Sequence, residues 1–282
     1  MRDINYALCD VFTDRPLAGN ALAVFTDADA LDAATMQALA RETNLSESAF
    51  VLRPTSASAD AAIRIFTPTM ELPFAGHPTL GTAFVLAARG QREIINLETA
   101  RGTVTIRFTQ EGGRPGFGWM TQPLPRIELY RHTPELLAAL RVQTSKLPVE
   151  LYDNGPHYVY VELATPGEIA ALAPDLSRLA ALGSTAFSVF ARQGSGWKCR
   201  VFAPGEGIAE DPATGAAAGP LAVHLARHGR IAFGDEIVIE QGVEIGRPST
   251  LHARARGGGD RLDSVEVGGH AVIVGSGTFR LP

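Results

Sequence analysis

This chain is short of cysteine, of positive charge and of long apolar runs, and each shortage removes a class of function. Two cysteines, Cys9 and Cys199, stand far apart in 282 residues. They make no disulfide framework, so a reducing cytoplasm is the expected setting. No uninterrupted apolar run approaches the roughly 20 residues of a membrane-spanning helix. Residues 1–12 carry Arg2, Asp3 and Asp10 and lack a secretory apolar core. The net charge of −5 argues against nucleic acid and anionic membrane surfaces as partners. There is no Walker motif, no Gly-x-Ser-x-Gly elbow and no Cys-x-x-Cys pair. The glycine clusters Gly112-Gly113…Gly116…Gly118 and Gly257-Gly258-Gly259 lack the following helix that a dinucleotide site needs. His224 and His228 have the i, i+4 spacing of two metal ligands, but no third ligand is evident in the sequence. Metal, nucleotide, flavin and pyridoxal chemistry therefore find no support in the sequence, and neither a metal nor a cofactor is expected.

What the chain does have is a strand–turn–helix unit written twice. The first copy is Arg64-Ile65-Phe66-Thr67-Pro68, then Ala75-Gly76-His77-Pro78 and an apolar run from Leu80 to Gly90. The second is Arg200-Val201-Phe202-Ala203-Pro204, then Thr214-Gly215-Ala216-Ala217 and a run from Gly219 to Gly229. Gly19-Asn20 falls on Gly155-Pro156 at the offset that relates Arg64 to Arg200. The glycine-led turns lie three residues further apart, which reads as an insertion bringing in Glu210-Asp211. Such a repeat predicts two similar lobes, each a curved sheet wrapped on one apolar helix. They would face each other, with His77 and Asp211 on opposite walls of the cleft and a glycine-led helix start from each lobe. Helix starts of that kind suit a small anionic substrate. The expected boundaries are 1–122 for the first lobe, completed by a strand near 271–282, and 123–270 for the second.

Local patterns fill in the elements. Residues 4–12, 21–25, 49–52 and 62–66 read as strands, with a helix from Asp32 to Glu42 capped by Asp32. Pro78 suits the first turn of a buried helix over 79–89. Residues 112–118 read as a loop and 255–260 as a hairpin loop. The second buried helix is expected to begin near Gly219-Pro220, because proline is tolerated only in a first turn. Alternating βαβ units with dinucleotide-fold spacing are not apparent.

Three polar segments set against apolar elements are the candidate chemistry: Asn44-Leu45-Ser46-Glu47-Ser48, Glu71 to Pro78, and Glu210 to Ala217. Glu47 lies in a short connector, flanked by serines able to orient it. A carboxylate in a closed apolar cleft gains proton affinity and can serve as acid or base near neutral pH. A solvated loop carboxylate is the ordinary alternative for Glu47. Capping roles are the ordinary alternatives for His77 and Asp211.

At these segments the chain resembles the PhzF family of phenazine-biosynthesis proteins. The matching stretches are Asp10-Val11-Phe12 with Gly19-Asn20, Asn44 to Ser48, Ile65 to Pro68, Glu71 to Pro78 and Glu210 to Gly215. The likeness extends over essentially the whole chain, through Leu225 to Gly229 and Gln241 to Ser249. The last of these looks like the family's phenazine-pathway isomerases. The resemblance implies an α+β, diaminopimelate-epimerase-like fold with two pseudo-symmetric lobes, each a β-barrel around a central helix, usually as a homodimer. It implies cofactor-free isomerisation of trans-2,3-dihydro-3-hydroxyanthranilate, a small anionic cyclic amino acid, to the aminoketone 6-amino-5-oxocyclohex-2-ene-1-carboxylate. On this likeness Glu47 would move a proton from ring C3 to C1, and His77 and Asp211 would hold the amino and hydroxyl groups. Substrate contacts would come from Asn20, Ser46, Gly76, Thr214, Gly215 and Ala216.

Ala216 stands where the family commonly has Ser. The loss of one hydrogen bond, about 0.5–1.5 kcal/mol, predicts a retuned site rather than a dead one. Epimerases of this fold use two cysteines, and the corresponding positions here are Ala75 and Thr214, so thiol-based racemisation is disfavoured. Two other readings stay open at this level. One is an isomerase or epimerase of the same fold acting on another small amino or cyclic acid. The other is a non-catalytic ligand-binding protein.

Overall fold

The computed structural model describes residues 2–90, 92–259 and 261–281. The chain divides into two compact units, Met1–Thr121 with Gly268–Pro282, and Gln122–Val267.

In the first unit the order is β1 (Arg2–Val11), β2 (Asn20–Phe25), α1 (Ala33–Thr43), β3 (Glu47–Leu52), β4 (Ala61–Phe66), β5 (Glu71–Leu72), α2 (Gly76–Gly90), β6 (Ile94–Thr99), β7 (Gly102–Glu111) and β8 (Arg114–Gln122). In the second it is β9 (Arg126–Leu129), α3 (Thr133–Leu140), β10 (Glu150–Asp153), β11 (His157–Glu162), α4 (Pro166–Ala170), α5 (Leu176–Ala180), β12 (Ala186–Gln193), β13 (Gly196–Ala203), β14 (Ile208–Asp211), α6 (Gly215–Arg227), β15 (Glu236–Gln241) and β16 (Ser249–Gly258). A long last strand, β17, runs from Arg261 to Leu281. Of the expected hairpin loop at 255–260, residues 255–258 belong to β16 and Asp260 lies outside the described residues.

The first unit is a closed barrel of eight strands. Pairing runs β1–β2–β3–β4–β6–β7–β8, and β17 pairs with both β8 and β1, from Arg2↔Leu281 to Val11↔Ala271. Helix α2 packs on β1, β2, β3, β6 and β7, and its first turns are buried. Helix α1 covers the other side of β3, where Met36, Leu39 and Ala40 meet Phe25, Phe50 and Phe66. Strands β2 and β3 are therefore covered on both faces, which is why Ala-Leu-Ala-Val-Phe and Ser-Ala-Phe-Val-Leu are continuous apolar runs rather than alternating ones. Asp32 caps α1 as its position predicts, accepting from the Thr35 N–H at 2.8 Å.

The second unit repeats the same pairing rules. β10–β11 is antiparallel, β11–β12 parallel, β12–β13 antiparallel, β13–β15 parallel and β15–β16 antiparallel. The first unit has the same sequence of pairings over β1, β2, β3, β4, β6 and β7. Each parallel pair is bridged by helix. βαβ crossovers are thus present without dinucleotide-fold spacing, because the helices and the turns around them vary in length. No helix among the described residues is long and apolar enough to cross a membrane.

Three expectations need correcting. Residues 114–118 begin strand β8 rather than a loop. Their glycines and Pro115 disguise a strand whose partner is β7. The three-residue insertion is not Glu210-Asp211. Glu71 chelates Arg64 (2.7 and 2.6 Å) as Glu210 chelates Arg200 (2.9 and 2.7 Å), so these glutamates correspond. The extra residues form the tight turn Pro204–Glu206 between β13 and β14.

The third concerns Pro220, which lies inside α6 as its sixth residue. Proline there leaves the Ala216 carbonyl without its helical donor. The Asn154 side-chain amide supplies one instead, at 2.9 Å. Gln122 donates to the Gly215 carbonyl at 2.9 Å and the Tyr160 hydroxyl to the Ala217 carbonyl at 2.7 Å. A side chain at Gly219 would collide with Gln122, 2.3 Å from the built Cβ, so Gly219-Pro220 and its three side-chain donors form one arrangement.

Candidate active site

The first unit brings together three of the expected residues. Asn20 opens β2, Glu47 opens β3, and His77 is the second residue of α2. Parallel pairing sets Glu47 beside Leu22. Asn20 follows a turn that Asp10 holds by accepting from the Leu17 N–H at 2.7 Å. Glu47 is 7% exposed and His77 2%, so Glu47 is no solvated connector residue. The Glu47 carboxylate lies 3.4 Å from His77 Nδ1, and the Asn20 amide lies 3.2 Å from the same nitrogen. Burial drives the His77 pKa down to about 3, so the imidazole is neutral at working pH. With the Asn20 N–H donating to Nδ1, the ring proton is assigned to Nε2. That atom is buried and has no hydrogen-bond partner among the described residues.

Ser46 is half-buried next to Glu47. Ser48 does not orient the glutamate; its hydroxyl lies 2.9 Å from Thr43 Oγ1. Gly76 begins α2, where the first N–H groups of a helix have no intrahelical acceptors.

The second unit carries the other expected residues on one turn. Asp211 ends β14 and is buried, and Thr214 is the N-cap of α6. The Thr214 hydroxyl does not cap the helix; it donates to the Asp211 carboxylate at 2.6 Å. Gly215 and Ala216 follow as the first two residues of α6, both buried. At the offset of 139 set by Glu71 and Glu210, His77 corresponds to Ala216 and Asp211 to Leu72. The duplicated framework therefore carries a different polar group in each unit.

A second buried polar cluster was not legible in sequence. Glu150 on β10 accepts from His228 and Arg227 at 2.9 Å, Tyr152 at 3.0 Å and His224 at 3.2 Å, all on one oxygen. Burial raises the Glu150 pKa, but the histidine hydrogen bonds, the Arg227 charge and Tyr152 outweigh it and hold it at about 2. Glu150, His224 and His228 bring ligand atoms within 4.8 Å of one another, so a third group does join the two histidines. The same carboxylate oxygen already accepts from the Arg227 guanidinium at 2.9 Å. The cluster ties α6 to β10 through the Glu150 carboxylate, while His224 Nε2 is buried with no partner among the described residues. Both thiols are buried, and burial pushes each pKa up to about 12. Neither is a thiolate at working pH.

Residues 9–277 match the family model described as phenazine biosynthesis-like protein. A protein of Pseudomonas chlororaphis named trans-2,3-dihydro-3-hydroxyanthranilate isomerase is 48% identical over 277 residues, covering 98% of this chain and 99% of the relative. The protein of that name from Pseudomonas aeruginosa is 48% identical over 276 residues, with the same coverage. A PhzF-family phenazine biosynthesis protein of Bacillus anthracis superposes with a TM-score of 0.84 at 25% identity, over 100% of both chains. A hydroxyproline epimerase from Agrobacterium vitis shares the fold alone, with a TM-score of 0.68 at 14% identity over 99% of this chain and 91% of that one. With that family match along nearly its whole length and an epimerase-like α+β fold, the chain belongs to the PhzC-PhzF phenazine biosynthesis-like family.

Proposed function

We propose that this chain isomerises trans-2,3-dihydro-3-hydroxyanthranilate to 6-amino-5-oxocyclohex-2-ene-1-carboxylate without a cofactor, as an enzyme of phenazine formation working in the cytoplasm as a homodimer. The observation that carries this reading is the buried Glu47–His77–Asn20 group, with 3.4 Å between carboxylate and imidazole. It supplies a base held against a neutral ring. The name shared by relatives 48% identical over almost the whole chain supports the same reading.

In this mechanism the Glu47 carboxylate takes the proton from ring C3. The electron pair released shifts the double bonds, and Glu47–H returns the proton to C1. The enol so formed tautomerises to the ketone. Atoms balance, since one proton leaves and one returns. Neutral His77 directs its Nε2–H at the substrate. Asp211, held by Thr214, is the group proposed for the substrate's ammonium and hydroxyl. A helix start such as that at Gly76, or that at Gly215, offers backbone N–H groups to an anionic carboxylate. Asn20, Ser46 and Ala216 complete the surroundings.

Glu47→Gln is the test. It is expected to abolish turnover while the protein stays folded and binds a substrate analogue. Turnover within about tenfold of wild type would remove Glu47 from the chemistry. Buried Ala216, in place of the usual serine, motivates a second reading: an isomerase for another small amino or cyclic acid. Turnover of a different member of a substrate panel, with the dihydro-hydroxyanthranilate untouched, would favour it.

A further inference from the structure

The stretch Gln241 to Ser249 matches the family, yet none of it enters the mechanism above. Its first residue, Gln241, ends β15 and is buried. Its amide makes three hydrogen bonds to the Asp211 turn. Nε2 donates to the Asp211 carbonyl at 2.7 Å and to Thr214 Oγ1 at 2.9 Å, while Oε1 accepts from the Thr214 N–H at 3.1 Å. The two backbone partners settle the orientation of the amide, because a carbonyl only accepts and an N–H only donates. Gln241 therefore presents a donor to the Thr214 oxygen. With that lone pair engaged, the hydroxyl proton points to Asp211 Oδ2, 2.6 Å away.

The segment around Gln241 is itself clamped. Gly242 has φ +77°, and a Cβ there would sit 2.5 Å from the Pro212 carbonyl and 2.4 Å from that of Arg247. Only glycine fits, so the backbone after Gln241 packs directly on the residue after Asp211. Buried Lys198 pairs with Glu244 at 2.8 Å and with Glu240 at 3.3 Å, pinning the segment on both sides of Gln241-Gly242.

We infer that Gln241 is a positioning residue for Asp211: through Thr214 it fixes the direction of the hydrogen bond that holds the Asp211 carboxylate in place. This rests on the reading of Asp211 as a substrate-holding group. The chain Gln241 N–H to Thr214 O–H to carboxylate has one sense only, and it favours the ionised acid. The charged group facing Asp211 from the Pro204–Glu206 turn is Glu206, whose own carboxyl is pushed up by burial and then by the Asp211 charge. Glu210 is engaged by Arg200, and Glu244 by Lys198.

The experiment compares Gln241→Leu, Thr214→Val, Thr214→Ser and the Leu/Val double variant, with two readouts. The first follows the Asp211 carboxyl carbon by NMR titration of the folded protein and needs no turnover. The second is the split between kcat and KM on the dihydro-hydroxyanthranilate. Gln241→Leu and Thr214→Val are each expected to move the Asp211 titration to higher pH and to lower kcat by about tenfold, with a smaller change in KM. Thr214→Ser restores both, and the double variant is no worse than either single one. An unmoved Asp211 resonance, a Thr214→Ser that behaves like Thr214→Val, or additive losses would overturn the inference. If Gln241→Leu fails to fold, the Thr214 pair decides alone. A shifted resonance in a protein whose wild type has no turnover would leave the positioning role standing and remove the substrate assignment instead.

Discussion

Asn154→Ala should destabilise the protein through α6, by an amount that depends on Pro220. The Asn154 amide is the donor to the Ala216 carbonyl, which Pro220 leaves without one. Both residues are buried. Stranding a buried carbonyl costs about 1–3 kcal/mol. For a chain of this size about 2 kcal/mol lowers the thermal midpoint by roughly 3–4 °C. Pro220→Ala restores an N–H at the position facing Ala216, so in that background the same Asn154→Ala change should cost less than half as much. The assay is a double-variant cycle on thermal midpoints, with circular dichroism to confirm that helix content is kept. Equal losses in the two backgrounds would refute the account of how this helix accommodates proline. Because Ala216 and Gly215 open α6, the destabilised single variant should also lose substrate affinity.

Other expectations follow from the same geometry. Ala216→Ser should fold normally and change kcat/KM by about two- to tenfold, the span of one hydrogen bond; a hundredfold change would make this position decisive for the substrate. The His77 ring should stay neutral from pH 8 to 5 in nitrogen-detected NMR, and titration near the ordinary value of 6.5 would contradict its burial. Since the folded pKa lies below the unfolded one, His77 draws stability down as pH falls below about 6.5 towards 3. Glu150 has a depressed folded pKa, so its contribution is present above its ordinary value of 4.5 and is lost as pH falls towards 2. Glu150→Gln should lower the midpoint at pH 7 and flatten its dependence between pH 5 and 2; an unchanged acid limb would contradict the network.

Much of this molecule could be read from its residues, for physical reasons. The repeat was legible because each copy has an arginine-led strand, a glycine turn and an apolar helix, and the chain folds both copies with the same strand pairings. Asp32 and Pro78 acted locally, where cap and first-turn chemistry depend on few neighbours. Pro220 misled because its helix is completed by donors 66 and 60 residues earlier, Asn154 and Tyr160, which no local pattern announces. β8 was hidden because Gly116, Gly118 and Pro115 have loop composition, while its pairing to β7 decides its conformation. In the candidate site, Glu47, His77 and Asp211 stood out as polar residues among apolar ones. Gln241 did not, because an isolated glutamine at a strand end looks like surface until the Asp211 turn is packed on it. Glu150 was equally silent: nothing in the sequence links it to His224 and His228.

The most direct test of the central claim is to incubate the protein with trans-2,3-dihydro-3-hydroxyanthranilate in D2O and follow the ring by NMR. The expected result is loss of the diene, with the C1 hydrogen coming from the proton carried by Glu47 and no conversion by Glu47→Gln. An unchanged substrate, beside an active relative under the same conditions, would contradict it.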